Sequence, residues 1–149
     1  MRRTTLAATL IAFAALPLAA QKKPEAAPKQ AGKPAAIRVP KSAVGTWDGK
    51  TMMGPKDSVV STFTITVRAD GSETEILPNR DPIAEKVVAA GGDTIVSEST
   101  RFKSVLRPNL TVVTRTTFHL KGNTMSGTTH ASYSDGTSLD LKTVLTRKK

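Results

Sequence analysis

Residues 44–149 predict an all-β domain, an antiparallel up-and-down meander of about eight strands closed into a small barrel. Three observations lead there. Turn signals recur at strand-length intervals, the segments between them alternate apolar with polar residues, and none carries a convincing helical period. The turn signals are Gly54-Pro55, Asp70-Gly71, Pro78 to Pro82, Gly91-Gly92-Asp93, Arg107-Pro108-Asn109, Gly122-Asn123 and Asp135-Gly136. Ile83 to Ala90 is the one helical candidate, and Val87-Val88 argue for strand there.

The segments before this domain read differently. Met1-Arg2-Arg3 is a basic start, Leu6 to Leu16 is uncharged and apolar, and Leu18-Ala19-Ala20 is a small-residue cleavage site. Residues 1–20 are therefore expected to be a secretory signal, and the mature protein periplasmic or secreted. Arg2-Arg3 raises the twin-arginine route, but Thr4-Thr5-Leu6 do not suit it, and general secretion fits better. The apolar run falls short of the roughly 20 residues that span a bilayer, so no transmembrane segment is expected in the mature protein.

Residues 21–43 carry Pro24, Pro28, Pro34 and Pro40 and six Lys/Arg against Glu25 alone. Recurrent proline and little apolar surface predict a disordered Ala/Pro/Lys-rich tether. Most of the +10 net charge sits there and in the signal, whereas 44–149 holds fourteen basic and eleven acidic residues. That balance, without a basic stripe interleaved with aromatics, excludes a nucleic-acid partner. The tether's charge suits weak contact with an anionic envelope surface. The chain has no cysteine, which excludes disulfides, thiolate chemistry and a lipid-modified cysteine.

Register sharpens the fold, because a slip of one residue turns every side chain to the other face. A two-residue turn at Gly122-Asn123 pairs Leu120 with Met125, Phe118 with Gly127, Thr116 with Thr129, Thr114 with Ala131 and Val112 with Tyr133 on one face. His119, Thr117 and Arg115 then lie opposite Ser126, Thr128 and His130 on the other. Phe118 is expected to cover Gly127 with its ring. At Asp135-Gly136 a three-residue loop, Asp135 to Thr137, aligns Tyr133 with Leu139, Ala131 with Leu141 and Gly127 with Leu145. At Asp70-Gly71 a two-residue turn sets Ile65 against Ile76 inside and Arg68 against Glu73 outside. The faces of the strands near 83–102 do not emerge from alternation. An outward face of Thr, Ser, Lys and His argues against an outer-membrane barrel, whose outside is apolar.

The domain opens on Gly45-Thr46-Trp47-Asp48-Gly49 and ends on Leu145-Thr146-Arg147. This resembles the lipocalin and wider calycin pattern, in which a Gly-x-Trp starts the first strand and an Arg on the last packs across the indole. The resemblance implies that Trp47 and Arg147 close one end of a lipocalin-like barrel. It also extends to uncharacterised exported bacterial proteins with the same Gly-Thr-Trp start. The helix and Asp-Tyr loop motif usual in lipocalins have no counterpart here, and a single Trp does not support the biotin site of avidins.

No nucleophile elbow, phosphate-binding loop or dinucleotide fingerprint is present, and no enzyme activity or cofactor is expected. His119 and His130 fall about four ladder positions apart, roughly 13 Å, too far to share a metal ion. The inward face carries the candidate binding residues. Thr114, Thr116, Thr129 and Thr143 form a hydroxylated middle, with Phe63, Ile65, Phe118, Tyr133 and Leu141 around it. A core built for packing alone favours Leu, Ile, Val and Phe there. Hydroxyls imply either a ligand cavity of a few hundred Å³ or a filled barrel with Thr bonded to its neighbours. The leading expectation is a barrel that binds a small, largely apolar ligand inside. The alternative is a non-catalytic envelope protein whose outer surface and tether bind a partner or a cell-wall polymer.

Overall fold

The computed structural model describes residues 37–149, which form nine antiparallel strands: β1 (Gly45–Met53), β2 (Ser58–Val67), β3 (Ser72–Ile76), β4 (Ile83–Gly91), β5 (Thr94–Ser99), β6 (Phe102–Lys103), β7 (Thr111–Lys121), β8 (Thr124–Tyr133) and β9 (Ser138–Arg147). Each pairs with its chain neighbour, except that β5 and the two-residue β6 share one edge of β7. With β1 also paired to β9, the eight longer strands close a barrel. Closure leaves no free terminal strand to template association. Among the described residues there is no helix long and apolar enough to cross a membrane.

The seam joins residues a hundred positions apart. Trp47 and Arg147 are direct ladder partners, and the Arg147 guanidinium lies 4.1 Å from the indole centroid. Trp47 is fully buried and its Nε1 donates to the Ala43 carbonyl at 2.9 Å. Arg147 also donates to the carbonyls of Val44, at 3.0 Å, and Ser42. The indole shuts this end of the barrel and the guanidinium covers it. Gly45 permits this twice over. Its φ of +139° suits glycine, and a Cβ there would lie 2.5 Å from an Arg147 nitrogen.

The same contacts move the domain boundary. The signal and most of the expected tether lie outside the described residues. Within the described part, Ala43 is fully buried and Val39 packs against the core. Residues 39–43, read from the sequence as the end of the tether, belong to the barrel floor.

The β7–β8 hairpin has the expected register throughout, from Lys121 opposite Thr124 to Val112 opposite Tyr133. One detail differs. A Cβ on Gly127 would strike the Thr117 carbonyl oxygen at 1.8 Å, so close backbone approach demands the glycine there. The ring-over-glycine contact occurs instead at Gly49, beneath Phe63.

The two Asp-Gly turns correct the other registers. Both are three-residue loops, Ala69–Gly71 and Ser134–Gly136, each bridged from the residue before it to the residue after it: Arg68 N to Ser72 O and Tyr133 N to Thr137 O. In both, glycine takes a left-handed φ, +84° at Gly71 and +83° at Gly136. In both, the aspartate Oδ1 accepts from the backbone and hydroxyl of the residue after glycine, Ser72 or Thr137. At the second turn this sets Ala131 against Leu139 and Thr129 against Leu141. The partners shift by two and the faces stay as expected. At the first turn Ile65 faces Glu75 and Thr64 faces Ile76. That is a slip of one, so Ile76 goes outside and Glu73 and Glu75 go in. The expected Arg68–Glu73 pair does not form; Arg68 donates to Thr74 Oγ1 at 3.0 Å. A bulge between Val87 and Ala89 explains why β4 does not alternate: Ile83, Glu85 and Val87 face inward, and the inward phase resumes at Ala90.

The seam is testable by a mutant cycle. Trp47→Ala is expected to cost about 3–5 kcal/mol as a buried aromatic truncation. Arg147→Ala should cost about 2–3 kcal/mol, from the stacking and its charged hydrogen bonds, and Arg147→Lys should recover only part. Chemical denaturation of the double variant should show a loss smaller than the sum by about 1 kcal/mol. Additive losses contradict a shared contact.

Candidate functional site

Inside the barrel two apolar clusters are separated by a polar layer. The lower cluster is built on Trp47, Ile65, Val67, Phe118, Met125 and Leu145, and the upper on Val112, Ala131 and Tyr133. Between them runs a belt of hydroxyls on six successive strands. Ser61 on β2 is the ladder partner of Thr51 on β1, which is the partner of Thr143 on β9. Thr143 and Thr129 share a hydrogen bond of 2.6 Å, and Thr129 and Thr116 one of 2.9 Å. Thr116 is in turn the ladder partner of Ser97 on β5. Alternation alone brings these residues together, since each strand contributes one inward position at this level.

The belt ends at β3 and β4, where the side chains are carboxylates. Glu73 and Glu75 share the inward face of β3, and Glu85 on β4 is the ladder partner of Glu73. Glu73 is 2% exposed, and its carboxyl and the buried Ser97 hydroxyl face each other with no other hydrogen-bond partner. Burial raises the Glu73 carboxyl from 4.5 to about 7, opposed by the nearby Ser97 hydroxyl and reinforced by the charge of Glu75. Burial likewise raises Glu75, while a hydrogen bond with Glu85 works against the rise. Glu85 lies well above the usual carboxyl range, through burial first and then the charge and hydrogen bond of Glu75. The two behave as an acid–carboxylate pair, Glu85 holding the proton and Glu75 accepting it.

Above the belt lies a cavity of about 80 Å³. Thr114, Thr116, Thr129 and Thr143 line it, and so do Phe63, Ile65, Phe118, Tyr133 and Leu141. All nine residues chosen from the sequence thus face one space. The volume corrects the expectation of a few hundred Å³. At the roughly 10–15 Å³ that one water needs, 80 Å³ admits a handful of heavy atoms. Glu75 and Glu85 also line the cavity, and its roof is Val105 and Leu106.

The roof belongs to the Ser104–Leu110 loop, which sequence reading recorded only as a turn. Ser104 N donates to the Leu110 carbonyl at 2.9 Å and Ser104 Oγ accepts from Arg107 N at 3.0 Å. The Arg107 guanidinium stacks 4.3 Å from the Tyr133 centroid and bonds Thr137 Oγ1. Arg80 reaches across from the β3–β4 loop to the Lys103 carbonyl at 2.6 Å. Two arginines therefore tie down the roof, Arg80 at its start and Arg107 through Tyr133 and Thr137.

The histidines lie on the outer face. His119 bonds Thr94 Oγ1 at 3.1 Å, and His130 bonds Asp140 Oδ1 at 2.7 Å. Among the described residues no three His, Cys, Asp or Glu side chains converge as a metal site. Comparisons with family models, with curated proteins and with solved structures return no match for this chain.

The inward acids carry a pH signature. The unfolded Glu73 carboxyl ionises near 4.5, whereas the folded one keeps its proton to about 7. The unfolded state therefore releases its proton first, and stability falls as pH rises from 4.5 to 7, by about 3 kcal/mol for this group. Glu75 and Glu85 act in the same direction. Denaturation of the wild type is expected at a lower midpoint at pH 8 than at pH 5. Glu73→Gln should gain about 2–3 kcal/mol at pH 8 and almost nothing at pH 4.5. A Gln variant less stable than wild type at pH 8 contradicts the burial of this acid.

Proposed function

We propose that this is an exported, non-enzymatic barrel of the calycin type that holds one small ligand in its interior. The observation that carries the reading is the cavity. About 80 Å³ remains open between an apolar floor and a latched roof, walled by hydroxyls where packing alone calls for branched aliphatics. The Gly45-Thr46-Trp47 start and the Arg147–Trp47 stack support the calycin assignment, and the pattern of residues 1–20 supports export.

The size of the space narrows the ligand. Pockets for drug-sized molecules run to roughly 300–1,000 Å³, so long-chain lipids and large ring systems do not suit this one. A compact molecule of about five heavy atoms does. Its apolar part would lie against Phe118, Val112 and Leu141, and its polar end would meet the hydroxyls or the glutamates.

Thr114 provides the test, because it lines the cavity and stands outside the hydrogen-bonded Thr116–Thr129–Thr143 chain. With five heavy atoms, 1-butanol can bind no tighter than about 3 µM by the ceiling on affinity per atom, and a millimolar Kd is expected. NMR titration should shift resonances of Phe118, Ala131 and Leu141, and Thr114→Leu should weaken binding at least about tenfold while the protein stays folded. If 1-butanol shifts none of these resonances, or the Leu variant binds it equally well, the barrel is not a ligand site.

A further inference from the structure

The charges around the cavity are of one sign. Glu75 and Glu85 line it, and among the described residues no Lys, Arg or His does. The basic residues nearest in sequence, Arg68, Arg80 and Lys86, are exposed. On β2 the inward neighbours are Phe63, Ile65 and Val67, and on β4 beside Glu85 they are Ile83 and Val87. On β5 they are Ser97 and Ser99. Tyr133 is the remaining titratable residue at the cavity, and the exposed Arg107–Thr137 bond places Arg107 at the roof. Among the described residues, no cation inside the barrel neutralises the three carboxyls.

Buried ionisable groups are ordinarily paired and hydrogen-bonded. Here Glu75 and Glu85 can share a proton, while Glu73 and the Ser97 hydroxyl, buried with no other partner, face each other away from the cavity lining. The carboxyls that do line the cavity, Glu75 and Glu85, share a proton and meet no cation there. Acceptors without donors, next to an apolar space, suit a ligand that carries donors and positive charge at one end. A metal ion is a poor candidate, because the acids do not converge as ligands. An alkylammonium needs only two or three acceptors and a short apolar wall.

We propose that the cavity recognises a small aliphatic ammonium ion, its charged end toward the Glu75–Glu85 pair and its alkyl part toward Phe118 and Leu141. This rests on the small-ligand reading above and names the chemical class of that ligand. Binding exchanges one cation for another: the ammonium docks with its protons, the shared carboxyl proton passes to solvent, and the net charge of the site is unchanged. Burial holds both carboxyls above the usual glutamate range, so the exchange makes binding stronger as pH rises.

The test compares three five- or six-heavy-atom probes of similar shape, n-butylammonium, 1-butanol and butyrate, by NMR titration of the full chain at pH 8.0 and pH 5.5. At pH 8.0 n-butylammonium is expected to bind at least about tenfold tighter than 1-butanol, and butyrate not at all. At pH 5.5 the ammonium should lose about tenfold or more, because a proton must leave for it to bind, while 1-butanol keeps its affinity. Glu75→Gln and Glu85→Gln, neutral mimics of the protonated acids, should each weaken n-butylammonium at pH 8.0 and leave 1-butanol unchanged. Equal affinities for ammonium and alcohol, or ammonium binding indifferent to pH and to both substitutions, overturn the ammonium assignment and leave the small-ligand reading standing. Binding of neither probe overturns both.

Discussion

The β1–β9 seam is the contact on which the interior depends. It brings Trp47 beside Arg147 and turns a curved sheet into a closed wall. Without it the two ends of the meander would be open edges, and the hydroxyl belt would break between Thr51 and Thr143, whose strands meet only there. The floor follows from the same contact: Ala43 accepts from the indole, and Ser42 and Val44 accept from Arg147. One aromatic–guanidinium stack thus organises the chain before β1, the first strand and the last. It also frees the centre of the barrel from structural duty. With the end sealed by the indole, small hydroxylated residues at mid-height can leave space without opening the core to solvent.

How much of this the sequence shows depends on the turns. The Gly122-Asn123 hairpin is legible throughout because it has one short loop and a clear apolar face, from Leu120 to Val112. The two Asp-Gly hairpins use a different device, an aspartate that accepts from the backbone and hydroxyl of the Ser or Thr beyond the glycine. Asp70-Gly71-Ser72 and Asp135-Gly136-Thr137 share that pattern, and the hydroxyl residue two positions after each aspartate is its signal in the sequence. Choosing instead the register that put Ile76 inside hid the true facing of β3. Hydrophobicity of one residue proved a weaker guide than turn chemistry. The tail of the tether was missed for a related reason: Val39 and Ala43 look like linker residues and become core only once the seam exists.

The candidate site divides along the same line. Its threonines and apolar residues lie on β2, β7, β8 and β9, whose facing alternation reveals. Its carboxylates lie on β3 and β4, one with its facing reversed and the other carrying a bulge at Val88. Burying Glu73 and crowding Glu75 with Glu85 costs stability at neutral pH, and apolar residues at those positions would pack better. Folds keep such groups where a site uses them. Here Glu75 and Glu85 line the interior cavity, with Glu73 beside Glu85 in the ladder, under a roof latched by Arg80 and Arg107.

The central claim is that the β3 register turns these acids into the barrel. The most direct measurement is a carbon-13 NMR titration of the side-chain carboxyls, assigned residue by residue. Glu73 is expected to titrate at about 7, with Glu75 and Glu85 titrating together above the usual glutamate range. Asp70 and Asp135, held ionised by Ser72 and Thr137, are expected below the usual aspartate range. If Glu73, Glu75 and Glu85 all titrate as solvated glutamates near 4.5, β3 faces the other way, and the interior described here does not exist.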